Sequence, residues 1–300
     1  MNILFNAIGC GLGNNGGTKT IIKSAEVLKD LGCGVSILAD VDNYTWHKHN
    51  LYVNGNMTAF VKEFDTVVNV SVWDVDSTLE ISKKHGLKPV WWIRGWEKWV
   101  NSEEWLISQL RKFYEFGGLL ICNSSWLVDH LRSLGMYSEL CFAGLDLHFW
   151  KDYGMRDWDG KLTIGGLWSA KHKTKRFDIF ERVMEHFGDK FNYKILKGDL
   201  NDGQLRNFYN DCHIWIATSE LEGFHQVPAE AALCGCRVFV YDYFQGGTSD
   251  YNKYFFKYTS FNVLKRFMED TCYGIDRSTK CVKQIGDRET NMKKFMELIK

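Results

Sequence analysis

The sequence has 300 residues, enough for two domains of ordinary size, and its 45% apolar and 25% charged residues are typical of a globular protein. Basic and acidic residues both number 37, so the net charge gives no general argument for nucleic acid or an acidic membrane as partner. No apolar run of about 18 residues occurs and the start does not resemble a signal peptide. We therefore expect no stable membrane insertion. The nine cysteines form no CxxC pair, which predicts reduced thiols and a cytoplasmic location.

The first half of the chain alternates predicted strands and helices. An apolar run at 2–8 leads into a glycine-rich loop, then a helical spacing from Thr18 to Leu31 and a second strand at 34–40. Such a unit implies a parallel sheet with right-handed crossovers. The same alternation continues, with strands predicted at 64–72, 88–94, 118–125 and 138–144 and helices at 76–86, 102–116 and 126–135. The pattern predicts a doubly wound α/β domain over residues 1–155.

A second alternation follows the polar stretch 151–160, which we interpret as a linker. Strands are predicted at 161–168, 191–198, 212–219 and 237–242, and helices at 177–188, 202–211 and 229–235. This predicts a second Rossmann-like domain over residues 156–275. A C-terminal helix within 276–300 is expected to pack back on the first domain. The predicted fold class is α/β, with two Rossmann-like domains facing each other across a cleft that holds the site.

Two glutamates in the second half bracket a loop that opens a helix. Glu222 and Glu230 stand eight positions apart, with Gly223, His225 and Pro228 between them. The N-terminus of the helix offers unpaired N–H groups and partial positive charge to a phosphate. The carboxylates can accept hydrogen bonds from sugar hydroxyls. The pattern predicts a site for an anionic, hydroxyl-rich ligand, although either glutamate alone could be an ordinary acid of a first helical turn.

The basic loop 171–176 separates a predicted strand from a predicted helix. This position puts its lysines at the carboxyl edge of a sheet, so we expect Lys175, assisted by Lys171 or Lys173, to bind a diphosphate. The alternative is a solvated charged face. No acid pair occupies a strand end, and the histidines and cysteines lack ligand spacing, so no metal is expected. A basic loop can neutralise a leaving diphosphate without a metal ion.

Two features of the first half suggest further contacts. Gly11, Gly13 and Gly16 match the pattern GxGxxG, which could contact phosphate through backbone N–H groups or could be a tight turn. The aromatic stretch 90–99 follows a strand. Its Trp92, Arg94, Trp96 and Trp99 could stack on or pair with an acceptor, or could fill a core.

These motifs together resemble the retaining GT-B glycosyltransferases of the GT4 type, the glycosyltransferase group 1 family. EGFHQVPAE is similar to the family's acidic E-x7-E motif, and segments 15–38, 123–150 and 163–181 resemble its glycine loop, the end of its acceptor domain and the start of its donor domain. The resemblance implies a GT-B fold. Gly166 stands where the family usually has arginine, and the histidine common at a strand end of the N-terminal domain is not evident.

The resemblance also implies roles for individual residues. Glu222 would bind hydroxyls of the donor sugar near the reaction centre, and Glu230 would hold the ribose. The diphosphate would lie against the following residues: Lys175, with Lys171 or Lys173, the backbone of Gly223, Phe224 and His225, and Gly16 and Gly17 of the N-terminal loop. No cofactor is implied beyond the nucleotide-diphosphate sugar, and no metal is required. Trp92, Arg94 and Trp96 lie in the region expected to meet the acceptor.

The function predicted in this way is transfer of a sugar to a hydroxyl acceptor with retention of the anomeric configuration. The acceptor stays open among a glycan, a lipid-linked glycan, a small metabolite and a modified nucleic-acid base. One alternative is an NAD-dependent oxidoreductase that uses the GxGxxG loop and Asp40. Another is an inactive module that binds nucleotide sugars or glycans. The basic C-terminal segment, with Lys280 and Lys283, could contact phosphate or a membrane surface, or could be a solvated amphipathic helix packed through Met292, Phe295 and Leu298.

Overall fold

The computed structural model describes residues 1–56, 64–98, 101–154, 156, 159–169, 173–198, 200–243, 247–251, 255–270 and 285–300. The chain divides into two compact units, each built around one sheet. The first unit comprises Met1–Gly144 and Arg288–Lys300, and the second comprises Leu145–Asp287. In the described part of the chain, no helix is both long enough and apolar enough to cross a membrane.

The first unit contains a seven-stranded parallel sheet in the order β3-β2-β1-β4-β5-β6-β7. Its strands are β1 (Asn2–Asn6), β2 (Gly34–Leu38), β3 (Tyr52–Asn54), β4 (Thr66–Asn69), β5 (Lys88–Ile93), β6 (Leu119–Cys122) and β7 (Glu139–Leu140). Its helices are α1 (Gly16–Asp30), α2 (Val75–His85), α3 (Glu103–Glu115), α4 (Ser125–Ser133) and, from the end of the chain, α9 (Arg288–Ile299). The strand order reverses between β1 and β4, which makes their carboxyl ends the natural ligand crevice of this unit.

Buried polar side chains fix the helices to this sheet at the same edge. Asn6, at the end of β1, donates to Ser77 Oγ and Thr78 Oγ1 of α2, at 2.8 Å each. Thr78 in turn donates to Asn69 Oδ1 at the end of β4, at 2.9 Å. Asn6, Asn69 and Thr78 are buried, so their mutual hydrogen bonds offset the cost of removing them from water. The network fixes the two strand ends against one helix.

Helix α9 completes the core of the first unit although it comes last in the chain. Met292, Phe295 and Ile299 are buried in the main apolar cluster, and the ring of Phe295 lies 5.3 Å from that of Trp92. Leu298 is partly buried against the same cluster. The predicted C-terminal helix began at residue 276. The described helix begins at Arg288, while Lys280 and Lys283 lie outside the described residues.

The second unit contains a five-stranded parallel sheet in the order β12-β11-β10-β8-β9. Its strands are β8 (Thr163–Leu167), β9 (Asn192–Leu196), β10 (Ile214–Ala217), β11 (Arg237–Tyr241) and β12 (Phe256–Tyr258). Its helices are α5 (Phe177–Phe187), α6 (Asp202–Asn210), α7 (Gln226–Leu233) and α8 (Phe261–Asp270). The three-residue edge strands β3 and β12 are absent from the predicted elements because so short a run shows no alternation.

Strand β8 contains Gly165 and Gly166, and the packing around them explains why no arginine stands at position 166. A Cβ at Gly166 would lie 2.4 Å from ring atoms of Phe180, and a Cβ at Gly165 would lie 2.7 Å from the ring of Trp215. Real Cβ atoms do not approach that closely, so the aromatic rings occupy the space that side chains would need. The absence of the usual arginine is therefore part of how this sheet packs.

The border between the units lies earlier than the predicted linker. The first unit ends at Gly144 rather than at residue 155, because the following residues are bound to the second unit. The ring of Trp150 lies 5.8 Å from that of Tyr209. Arg156 donates to the carbonyl oxygens of Cys212 and Cys234, at 3.0 and 2.5 Å. Leu145 also forms a parallel bridge with Asp287, so the chain enters and leaves the second unit at neighbouring positions.

Candidate functional site

An ion pair forms at the carboxyl edge of the second sheet. Lys175, in the loop after β8, donates through Nζ to Glu222 Oε1, in the loop after β10. Strands β8 and β10 are hydrogen-bonded neighbours, so their following loops meet. The two side chains are only 23% and 17% exposed. Burial of the Glu222 carboxyl acts to raise its pKa, but the charge of Lys175, the neighbouring His225 and the hydrogen bonds from Lys175 and Ser219 together lower the pKa, so Glu222 is ionised at neutral pH.

Backbone contacts hold the Lys175 loop against the loop that follows β10. Thr218 Oγ1 donates to the carbonyl oxygen of Lys175 at 2.5 Å. The N–H of Glu220 donates to the carbonyl oxygen of Thr174 at 2.8 Å. These bonds join the two loops at the residues that carry the ion pair. The position of Lys175 is therefore set by the backbone as well as by its own side chain.

Arg176 adds side-chain bonds to the same junction and adopts an unusual backbone conformation. Its φ is +47°, in the left-handed region that L-residues with a Cβ rarely adopt. The guanidinium pairs with Glu220 and donates to Asp178 Oδ1 at 2.9 Å. These carboxylates raise the pKa of Arg176, chiefly through the hydrogen bond to Asp178. The ion pairs offset a backbone strain of about 1–2 kcal/mol.

His225 lies beside the ion pair at the start of α7. Its side chain is buried, and Nε2 lies 3.8 Å from Glu222 Oε1. Burial lowers the pKa of His225 to about 4, against the opposing effect of Glu222, so the imidazole is neutral at pH 7. Nε2 has no hydrogen-bond partner among the described residues. The positive charge at this site therefore comes from Lys175 and from the N-terminus of α7.

A short segment after β11 supports the loop of the two glutamates. The N–H of His225 donates to the carbonyl oxygen of Gly247 at 2.9 Å, and Tyr251 donates through its hydroxyl to the carbonyl oxygen of His225. Gly247 has φ +69°, and a Cβ there would lie 2.7 Å from Glu222 Cβ. Only glycine fits such a close approach of two backbones. Sequence reasoning missed Gly247, Thr218 and Tyr251 because their roles depend on contacts between distant segments.

The other residues predicted to contact the donor differ in their burial and in their contacts. Glu230 is 2% exposed, within α7, and its Oε2 accepts from the hydroxyl of Tyr209 at 3.3 Å. The ring of Phe224 is buried against Tyr251, 5.3 Å away. Lys173 is exposed, and Lys171 lies outside the described residues. Among the residues that the structure describes, no three His, Cys, Asp or Glu side chains are grouped so as to hold a metal ion.

The N-terminal glycine loop contains a tight turn, in which the N–H of Gly11, at φ +61°, donates to the carbonyl oxygen of Ala7 at 2.8 Å, and it is anchored to a neighbouring loop. Leu12 exchanges backbone hydrogen bonds with the loop after β2, donating to Val41 and accepting from Asn43, at 2.8 Å each. Helix α1 then begins at Gly16, where Asn15 caps it by accepting from Thr18 N at 2.8 Å. In a dinucleotide fingerprint the glycines form the turn between strand and helix. Here Gly11 and Gly13 precede the helix within the anchored loop, and Asp40 is exposed.

Arg94 joins two loops of the first unit. Its Nη1 donates to the carbonyl oxygen of Gly17 at 2.5 Å, and its Nη2 donates to that of Val70 at 2.6 Å. The guanidinium thus ties the start of α1 to the loop after β4. The sequence predicted that Arg94 would meet an acceptor. In the structure two of its nitrogen atoms instead bind the backbone of the protein.

Trp92 and Trp96, which the sequence placed in the region expected to meet the acceptor, lie in the core of the first unit. Both side chains are fully buried, so neither offers a ring face to a ligand. Trp92 packs on Phe295. Trp96 donates through Nε1 to Glu103 at 2.7 Å and packs edge-on against His130. Both faces of β5 are covered in this sheet, so its tryptophans point into apolar layers. Trp99 lies outside the described residues.

Comparison with known proteins establishes the fold. No protein-family model and no curated protein matches the sequence. Sucrose-phosphate synthase from Thermosynechococcus elongatus superimposes with a TM-score of 0.77 at 13% identity, over 99% of this chain and 98% of that one. HepE from Anabaena, in complex with UDP and glucose, gives 0.73 at 16% identity, over 99% and 98%. An alpha-glucosyltransferase bound to UDP and DNA containing an HMU base gives 0.65 at 12% identity, over 100% and 99%. The predicted fold class, GT-B with two Rossmann-like domains, is confirmed.

Proposed function

We propose that this chain is a glycosyltransferase that moves a sugar from a nucleotide-diphosphate sugar to a hydroxyl acceptor, with retention and without a metal ion. The observation that carries the proposal is the ion pair of Lys175 and Glu222 beside the N-terminus of α7. A diphosphate needs positive charge, and a sugar needs hydrogen-bond acceptors. The edge of the second sheet supplies the charge through Lys175 and the dipole of α7, and an acceptor through Glu222. Structures of this fold in complex with UDP and with UDP-glucose support the same class of ligand.

The roles of the residues follow from their chemistry. Lys175 and the N-terminus of α7 stabilise negative charge on the diphosphate, with Lys173, Lys171 and the backbone of Gly16 and Gly17 as further contacts. Glu222 accepts hydrogen bonds from hydroxyls of the transferred sugar, and the backbone of Gly223, Phe224 and His225 lines it. Glu230, which Tyr209 orients, binds the ribose.

The reaction in this proposal needs little proton chemistry from the protein. The bond between the anomeric carbon and the leaving diphosphate breaks as the acceptor oxygen attacks from the same face. The proton of the acceptor passes to the departing phosphate oxygen, so retention requires no covalent enzyme intermediate. The neutral imidazole of His225 leaves Lys175 as the nearby cation that balances the new charge on phosphate. The protein then acts by positioning the substrates and by electrostatic stabilisation.

A binding experiment on matched variants tests the donor site. Wild type, Lys175→Ala, Glu222→Ala and Lys194→Ala are titrated with UDP, GDP and ADP and then assayed for hydrolysis of the corresponding sugar nucleotides. Lys194 is the control because it is a surface lysine of the same unit that pairs with Asp211 at 2.5 Å. We expect Lys175→Ala to weaken nucleotide binding by at least about tenfold. Glu222→Ala is expected to keep nucleotide binding and lose turnover, and Lys194→Ala to match wild type.

Three outcomes would contradict the proposal in different ways. Wild type that binds no nucleoside diphosphate has no donor site of this kind. Tight binding of NADH would favour the oxidoreductase alternative. Donor binding without hydrolysis or transfer, across a panel of acceptors, would identify an inactive binding module. Retention is read from the anomeric signal of the product by NMR, and metal independence from unchanged turnover in EDTA.

A further inference from the structure

Two tryptophans form an exposed aromatic pair at the crevice of the first sheet. Trp73 is 55% exposed, and its ring centroid lies 5.8 Å from that of the half-buried Trp105. Trp73 belongs to a single helical turn, Val72–Asp74, that directly follows β4. The carboxyl end of β4 lies beside that of β1, where the strand order reverses. An exposed indole therefore stands at the position where sheets of this type bind ligands.

The backbone around Trp73 is held from both sides while its ring faces solvent. The N–H of Val72 donates to Glu97 Oε2 at 2.7 Å. Asp74 is fully buried and accepts from the N–H of Gly9 at 2.5 Å. An exposed tryptophan gives up the burial that would stabilise it. Here the residues on both sides of Trp73 are anchored, so its backbone is held in place, and its exposed ring packs beside that of Trp105.

The surface beside the indole is kept open by a glycine. Gly9 is exposed, and a Cβ at this position would lie 3.2 Å from Trp73 Cβ and 3.1 Å from Asp74 Oδ1. Any side chain at Gly9 would therefore crowd the backbone and Cβ of Trp73 and the carboxylate of Asp74. Cys10, the next residue, is also exposed. The turn that carries Gly9 and Cys10 is thus exposed next to the backbone of Trp73.

The charges around the pair are mostly negative. Glu103 and Glu104 occupy the first turn of α3 together with Trp105, and Asp76 lies in the first turn of α2 after Trp73. Lys112 pairs with Asp76 at 2.5 Å, and the charge of Arg94 acts on the buried Asp74 and Glu97, so Glu103 and Glu104 supply the remaining negative charge. A phosphodiester backbone requires basic residues and would be repelled here. An uncharged polyol fits, because carboxylates accept hydrogen bonds from hydroxyls and an aromatic face packs on the apolar face of a sugar ring.

We propose that the acceptor is an uncharged saccharide, which stacks on Trp73 with Trp105 as its support. This inference rests on the proposed function, since it names the acceptor of that reaction. It selects the glycan among the acceptors that the sequence left open. It also relocates the acceptor contact from the buried Trp92 and Trp96 to a tryptophan that the sequence pattern did not single out.

The test compares Trp73→Ala, Trp73→Phe and Trp105→Ala with a control, Tyr137→Ala. Tyr137 is the matched control because it is a 63% exposed aromatic residue of the same unit. Binding of a panel of neutral oligosaccharides is measured by saturation-transfer NMR, and acceptor KM and kcat by transfer assay. Hydrolysis of the donor without acceptor is measured in parallel. We expect Trp73→Ala to raise the acceptor KM by about tenfold or more and Trp73→Phe to recover most of the loss.

The same experiment separates failure of this inference from failure of the proposed function. In the proposed function, donor binding and donor hydrolysis depend on Lys175. We therefore expect both to stay within about twofold of the wild-type values in Trp73→Ala. If wild type neither binds nor hydrolyses any donor, the proposed function fails. If donor hydrolysis is normal, the saccharide inference is overturned by any of three results: no saccharide binds wild type, Trp73→Ala keeps the wild-type KM, or duplex DNA with a hydroxymethylated base is the acceptor.

Discussion

Lys175 and Glu222 form an ion pair across 47 residues of sequence, at the ends of two neighbouring parallel strands. Each residue alone has an ordinary explanation, as a solvated lysine or as an acid near a helix start. Together they place a cation and a hydrogen-bond acceptor side by side in a partly buried setting. Because each side chain is the charged partner of the other, substitutions at this pair should change the free energy of unfolding by measurable amounts.

Removing Lys175 is expected to destabilise the fold in a pH-dependent manner. In Lys175→Met the Glu222 carboxylate loses its cation, at a cost of about 1–3 kcal/mol of unfolding free energy at pH 7. Lys175 lowers the pKa of Glu222, so the stability it supplies is present at neutral pH and is lost as the pH falls through that lowered value. Urea unfolding at pH 7 and pH 4 should show the difference from wild type shrinking in acid. The double variant Lys175→Met/Glu222→Gln should recover part of the loss; no recovery would refute the pairing.

The left-handed conformation of Arg176 predicts a difference between two small substitutions. Arg176→Ala and Arg176→Gly both lose the ion pairs with Glu220 and Asp178. Glycine adopts φ +47° without strain, whereas alanine does not. We expect Arg176→Gly to be the more stable variant by about 1 kcal/mol, after its greater freedom in the unfolded state is included. Equal melting temperatures for the two variants would mean that the loop relaxes out of this conformation.

A methyl group at Gly247 is expected to disturb the loop that carries Glu222. Its Cβ would lie 2.7 Å from Glu222 Cβ, and the alanine would also be strained at φ +69°. Gly154→Ala is a matched control, because Gly154 has φ +68° but no atom within 4 Å of its Cβ position. Both variants should lose about 1 kcal/mol through backbone strain. Only Gly247→Ala should also lose affinity for a nucleoside diphosphate in calorimetric titration. Similar titrations for the two variants would show that the loop tolerates the added methyl group.

Because of Asp74, the free energy of unfolding is expected to fall as the pH rises. Burial raises its pKa from 3.8 to about 6, although the N–H of Gly9, the thiol of Cys10 and the charge of Arg94 act in the opposite direction and Glu97 adds to the rise. The folded state then holds a proton that the unfolded chain releases, so stability falls between about pH 4 and pH 6. The total is about 3 kcal/mol at most. Asp74→Asn should remove this slope in urea unfolding at pH 4, 5, 6 and 7. If the free energies of unfolding of wild type and Asp74→Asn depend on pH in the same way, the pKa of Asp74 is not raised in the folded state.

The sequence predicted much of the second unit's candidate site because its residues follow strands. In a parallel sheet the loops after neighbouring strands meet, so a basic loop after one strand and an acidic loop after another could be placed together. The supporting contacts could not be predicted in this way. Gly247 and Tyr251 reach the loop from a segment without periodic pattern, and Thr218 acts through a backbone carbonyl oxygen.

The tryptophans of the first unit show the opposite result. Strand alternation separates an inner from an outer face only when one face of the sheet is exposed. Strand β5 is covered on both faces, so Trp91 and Trp92 are both buried and their neighbourhood is core. Trp73 stands alone in the sequence, and its exposure depends on the turn that follows β4. A local abundance of aromatic residues therefore indicated packing rather than binding.

The position of α9 has a consequence for how the protein is made. The first unit needs Met292, Phe295 and Ile299 to close its core, yet these residues follow the whole second unit in the chain. During synthesis Met1–Gly144 leaves the ribosome first and the whole second unit follows before α9 does, so Trp92 lacks Phe295 as a neighbour until α9 has emerged. The second unit, whose ends pair at Leu145 and Asp287, can fold in that interval as an inserted domain. The order of synthesis thus lets the proposed donor half fold before the half proposed to bind the acceptor.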